Sequence, residues 1–140
     1  MENVFVDTDI ILDLLSNREP FYIHAAKLFS AADKNEIKIY VPALAFTNLN
    51  YILSKQYSAD QAKKKLLKFK TLVIVFAVTD KIIELALASD FKDFEDAVQY
   101  FIAIENNIKI LLTRNLKDYK SSEIPVMTAE QFLKIQTLTN

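Results

Sequence analysis

Short runs of β-branched and aromatic residues alternate along this chain with stretches of helical spacing, and that alternation narrows the possible folds more than any other feature. NVFVD (3–7), EIKIYV (36–41), TLVIVFAV (71–78), IKILLT (108–113) and the shorter IPVM (124–127) read as strands. Between them the apolar residues recur three and four apart. Ile10, Ile11, Leu14 and Leu15 share one side of a helix over 9–16. Pro20 suits the first turn of a helix reaching about Asp33, and Pro42 suits the start of one through ALAFTNLNYILSKQY. Ser58 with Gln61, and Thr128 with Gln131, have the spacing of capping boxes that open two more helices. Thr79 or Asp80 caps KIIELALAS, and an acidic loop, DFKDFED, leads into AVQYFIAIENN. Strands separated by helices predict an α/β fold with a mostly parallel central sheet and helices on both faces. TLVIVFAV is apolar on both sides, as a strand in the middle of such a sheet would be. No repeat or linker interrupts the pattern, so a single domain over 1–140 is expected.

Composition removes most chemistries. The chain contains no cysteine, which excludes disulfides, thiolate zinc sites and a cysteine nucleophile. It contains no glycine, which excludes Walker-type phosphate loops and G-x-G-x-x-G dinucleotide folds. The single histidine, His24, lies in the helical segment FYIHAAKLF and reads as a boundary residue, so histidine-based catalysis is not expected. A net charge of −1 gives no global field to recruit a polyanion, so any nucleic-acid site must be local. No apolar stretch has the length of a membrane span, and the first residues lack the pattern of an export signal. A cytoplasmic protein with no membrane association is the expectation. The reactive material that remains is carboxylate.

Sites in open parallel sheets lie beyond the carboxyl ends of the strands. Asp7 and Thr8 end the first strand; Thr113, Arg114 and Asn115 end the fourth, with Asp118 three residues on. Asp96 opens the helix that feeds the fourth strand, and Asn48 lies in the helix after the second. If the first and fourth strands are neighbours, these groups converge. Carboxylates so gathered repel unless a hard cation such as Mg²⁺ lies between them, and such an ion can assist displacement at a phosphodiester. Asp9 reads as a helix cap, and Asp93 and Glu95 as surface charges. The lysines of KKKLLKFK (63–70) read as a solvated helix face with Leu66, Leu67 and Phe69 on the core side; Arg114 is better placed to touch RNA phosphate.

VFVDTDIILDLL, VPALAFTNLNYIL, DFEDAVQYFIAIENN and ILLTRNLKDY together, in this order and spacing, resemble the PIN-domain proteins. The likeness spans nearly the whole chain and is strongest to the short bacterial toxins of toxin–antitoxin pairs. It implies a three-layer α/β sandwich, an endoribonuclease dependent on Mg²⁺ or Mn²⁺, an RNA substrate and a protein antitoxin. It places catalytic roles on Asp7, Asp96 and Asp118, with Asp7 and Asp96 as metal ligands. Thr8, Asn48, Thr113 and Asn115 fall at supporting positions. The chain departs from the family at Asn48, commonly Glu; at Asp9, commonly Asn; and at Asn115, where many members have Asp. The thinner acidic set makes a catalytically weak RNA- or protein-binding module the alternative. A haloacid-dehalogenase-like phosphohydrolase is the remoter one, since the third strand ends in Ala-Val-Thr-Asp80 without the required lysine and acidic pair. The aromatic residues Phe21, Tyr22, Phe46, Tyr51 and Tyr57 exceed what one core face needs, so a homodimer or antitoxin contact through them is expected.

Overall fold

The computed structural model describes residues 1–139. Its elements run β1 (Glu2–Val6), α1 (Thr8–Leu15), α2 (Tyr22–Asp33), β2 (Ile37–Pro42), α3 (Ala43–Gln56), α4 (Ala59–Lys70), β3 (Ile74–Phe76), α5 (Asp80–Leu87), α6 (Phe94–Glu105), β4 (Leu111–Leu112), β5 (Val126–Met127) and α7 (Ala129–Thr139). A 3-10 turn, Leu116–Tyr119, follows β4. The strands form one sheet in the order β3-β2-β1-β4-β5, every pair parallel. The strand order reverses beside β1, which places its carboxyl end at the crevice where such sheets bind ligands.

Alternation along β1 divides the core. Val4 and Val6 pack with α1, α2, α3, α4 and α7, while Phe5 packs with α5 and α6 on the opposite face. The result is the expected three layers. β3 is an exception to the reading of its sequence: it forms an edge, only Ile74–Phe76 pair, and Ile74 is exposed. Leu67, expected on the core side of α4, is also exposed. Of the aromatic surplus, Phe46 packs against Phe69 with ring centres 6.0 Å apart, whereas Phe21, Tyr51 and Tyr57 remain exposed.

The helix boundaries follow local chemistry. Ser58 Oγ accepts from the Gln61 N–H at 3.1 Å, and Thr128 and Gln131 bond reciprocally at 2.9 and 3.1 Å. Thr79 caps α5 through the Ile82 N–H. Pro20 lies in the turn before α2, which starts at Tyr22. In a chain without glycine, three helices end on asparagine in the left-handed region: Asn17, Asn35 and Asn107, with φ of 51°, 61° and 58°. Each closes a paired hydrogen-bond motif, as where Glu36 N–H reaches Ala31 C=O while Asn35 N–H reaches Ala32 C=O. Asparagine is the substitute that tolerates this conformation best.

Candidate functional site

β1 is pinned at its carboxyl end by the Asp7 N–H, which donates to Leu112 C=O on β4 at 2.9 Å. This bond aligns the two strand ends and turns Asp7 and Thr113 toward one another. Thr113 Oγ1 donates to one Asp7 oxygen at 2.8 Å, and Gln99 Nε2 donates to the other at 2.9 Å. The Gln99 carbonyl oxygen accepts from the Thr8 N–H at 3.3 Å and from its hydroxyl at 3.2 Å. The Tyr119 hydroxyl stands 3.2 Å from Asp7 and 3.4 Å from Asp96, with one proton to share between them. Asp7 is buried, and this collar of neutral donors satisfies it without neutralising it.

Three further carboxylates face Asp7. Asp96 stands in the first turn of α6, which begins at Phe94, three residues before the expected start, because Asp93 Oδ1 caps the Asp96 N–H at 3.0 Å. Glu95, expected at the surface, is half-buried and accepts from Asn48 Nδ2 at 3.1 Å. Asp9 does not cap α1, whose N-cap position belongs to Asp7; it is the second residue of the helix, in its first turn, accepts from Asn115 Nδ2 at 3.1 Å and from the Arg114 N–H, and adds its charge to that of Asp7. Its Oδ1 is buried without a partner.

Burial raises the proton affinity of all four, and the Asp7 charge adds to it for the other three. Asp9 and Asp96 are each pushed up to about 7, Asp96 with further contributions from Asp93 and Asp118. Asp7 and Glu95 are raised, opposed by the hydrogen bonds that favour their charged forms. The Tyr119 hydroxyl is raised by burial and then by Asp7 and Asp96, so it stays a donor.

The remaining expected residues fall around this centre. Asp118 is exposed on the 3-10 turn and reaches Asp96 through its charge. Arg114, expected to contact phosphate, has a buried partner: its Nε and Nη2 donate to the two oxygens of Asp13 at 2.7 and 3.1 Å, and its guanidinium lies 4.0 Å above the Phe21 ring. Asp13, Gln99, Tyr119, Glu95 and the inward turn of Asp9 lie outside what the sequence predicts for this site. Gln99 had a signal, a lone amide between apolar residues one turn beyond Asp96.

Parallel order, the strand-end carboxylates and the sequence itself place this chain in one family. The sequence matches the PIN domain family over residues 3–117, and the protein belongs to it. It is 30% identical over 139 residues to Ribonuclease VapC1 of Aquifex aeolicus (strain VF5), covering 94% of this chain and 93% of that one. Two solved structures share the fold. A toxin–antitoxin complex from Klebsiella pneumoniae superposes with a TM-score of 0.66 at 22% identity, over 90% of this chain and 97% of that chain. DNA-bound VapBC from Salmonella typhimurium superposes with a TM-score of 0.70 at 12% identity, over 92% and 99%.

PIN-domain nucleases of this kind generally depend on a divalent metal. Among the described residues, no three Asp, Glu or His side chains are grouped to hold an ion unaided. A hydrated ion needs less: one or two carboxylates with the remaining positions filled by water, as Mg²⁺ prefers. Asp7 and Asp96, with the unpartnered Asp9 oxygen alongside, meet that requirement.

Proposed function

We propose that the protein is a Mg²⁺- or Mn²⁺-dependent endoribonuclease, the toxin of a toxin–antitoxin pair, acting in the cytoplasm and held in check by a protein antitoxin. The observation that carries this reading is the gathering of Asp7, Asp9, Glu95 and Asp96 at one strand end, each with its proton affinity raised. Such charge repulsion is relieved when a cation binds. Membership of the PIN family and the likeness to Ribonuclease VapC1 supply the substrate class, and the toxin–antitoxin complex among the similar folds supplies the partner. Among the described residues no helix is long and apolar enough to cross a membrane.

Asp7 and Asp96 would hold the ion, which when bound acidifies water and offsets charge on the phosphodiester. Thr113, Gln99 and Tyr119 orient Asp7 and keep its charge available. Asp118 adds negative potential from the rim.

RNA cleavage by the purified protein, with Mg²⁺, with Mn²⁺ and with chelator, tests the reading. Cleavage lost in chelator and lost on Asp7→Asn or Asp96→Asn is the expected result. Equal cleavage in chelator, or an active Asp7→Asn protein, overturns the metal–carboxylate mechanism. No cleavage with either metal favours the non-catalytic binding module.

A further inference from the structure

Between α1, α2 and the start of α7, with Arg114 in its wall, lies a cavity of about 370 Å³. Its wall includes Asp13, Phe21, His24, Arg114 and Glu130. The volume sits near the lower end of the roughly 300–1,000 Å³ range of ligand pockets, room for one ring system rather than a run of nucleotides. Its charge is unsuited to phosphate: Asp13 neutralises the Arg114 guanidinium, and Glu130 adds a carboxylate, 3.5 Å from His24. What it offers is a flat platform, the Phe21 ring with the guanidinium stacked on it at 4.0 Å, and a carboxylate acceptor on the rim. Phe21 is 39% exposed despite its position in this wall. One residue joins the cavity to the acidic centre, since the Arg114 backbone N–H donates to Asp9 while its side chain lines the cavity.

Unpaired RNA bases are recognised by stacking on aromatic rings and guanidinium planes, and by hydrogen bonds to their edges. We propose that this cavity receives one unpaired base of the RNA substrate, next to the phosphodiester presented to Asp7 and Asp96. The base stacks on the Phe21–Arg114 pair and turns an N–H edge toward Glu130. The proposal rests on the reading of the protein as a ribonuclease, and it makes Phe21 a determinant of where the RNA is held.

The test measures binding in chelator, so that it does not depend on cleavage. A short unstructured RNA carrying a single abasic position, moved along the strand, is titrated by fluorescence anisotropy against wild type, Phe21→Ala, Phe21→Leu and Phe21→Tyr. Thermal unfolding of each variant confirms a folded chain. Phe21→Ala and Phe21→Leu are expected to weaken binding by about 5- to 150-fold, the loss of one base–aromatic stack, and Phe21→Tyr to retain it. At one abasic position, wild type and Phe21→Ala should bind alike, because the stacked base is missing from both. Equal affinity of all variants for the intact RNA, with cleavage retained in metal, overturns the base subsite and leaves the ribonuclease reading standing. Phe21-dependent binding without cleavage in either metal does the reverse. If Phe21→Ala binds RNA normally but releases a protein that co-purifies with wild type, the cavity belongs to that partner and the proposal fails.

Discussion

Replacing Asp13 should cost more than its distance from the reacting centre implies. The Asp13 side chain is 2% exposed and takes two hydrogen bonds from Arg114, with Arg18 Nε a further 3.7 Å away. Asp13→Ala leaves the Arg114 guanidinium without its counter-charge at a position only 22% exposed. Removing one partner of a buried pair typically costs about 3–5 kcal/mol. Partial exposure and the Phe21 ring beneath the guanidinium reduce this, so about 2–3 kcal/mol is expected here. At about 3–4 °C per kcal/mol for a chain of this size, Tm should fall by about 6–12 °C. Activity should fall too, because Arg114 lies between Thr113, which donates to Asp7, and Asn115, which donates to Asp9. The assay is urea and thermal unfolding of Asp13→Ala, Arg114→Ala and the double variant, beside Asp13→Leu/Arg114→Met. The two alanine changes should be strongly non-additive, and the apolar pair should recover most of the loss. An Asp13→Ala protein within about 0.5 kcal/mol of wild type, or strict additivity, would refute the argument that this pair fixes the turn.

Metal-free protein should be more stable at pH 5 than at pH 8. Asp9 and Asp96, at about 7 when folded, hold protons there that the unfolded chain has released, so stability declines as pH rises from about 4 through 7, and differential scanning calorimetry in chelator reads it. The same protons compete with a cation, so Mn²⁺ affinity by calorimetric titration should weaken as pH falls below 7. Gln99→Leu removes a donor to Asp7 and the acceptor for Thr8, and should lower cleavage by about 10–100-fold, the usual scale for groups that orient metal ligands. Asn48→Glu replaces the donor to Glu95 with a second carboxylate; it should lower Tm in chelator, tighten Mn²⁺ binding and raise cleavage, and an unchanged Tm and affinity would mean that Asn48 does not face the site.

What the sequence disclosed was whatever local chemistry determines. The two capping boxes, the strand–helix alternation and the position of Asp7 at a strand end all depend on neighbours within a few residues. The collar around Asp7 does not. Gln99 and Tyr119 reach it across 92 and 112 positions, and Arg114 finds Asp13 across 101, so their partners emerge only when β4 lies beside β1. Asp9 shows how finely the reading is balanced. Starting α1 one residue earlier gives the cap position to Asp7 and rotates Asp9 from a structural role into the cluster. Glu95 reads from the sequence as a loop charge, and it enters the site because the Asp93 cap starts α6 at Phe94 rather than at Ala97.

The place of β1 in the middle of the sheet also determines when activity can arise during synthesis. The strand bearing Asp7 is made well before the groups that hold its carboxylate: Thr113 and Tyr119 follow 106 and 112 positions later. At roughly 5–20 residues per second, about 6–22 s separate Asp7 from Tyr119. Until β4 follows, β1 can pair with β2 alone, and Asp7 lacks the groups that hold it. Asp7 therefore stays without the Tyr119 hydroxyl until the 112 positions between them have been made, a delay set by sequence separation rather than by any one element.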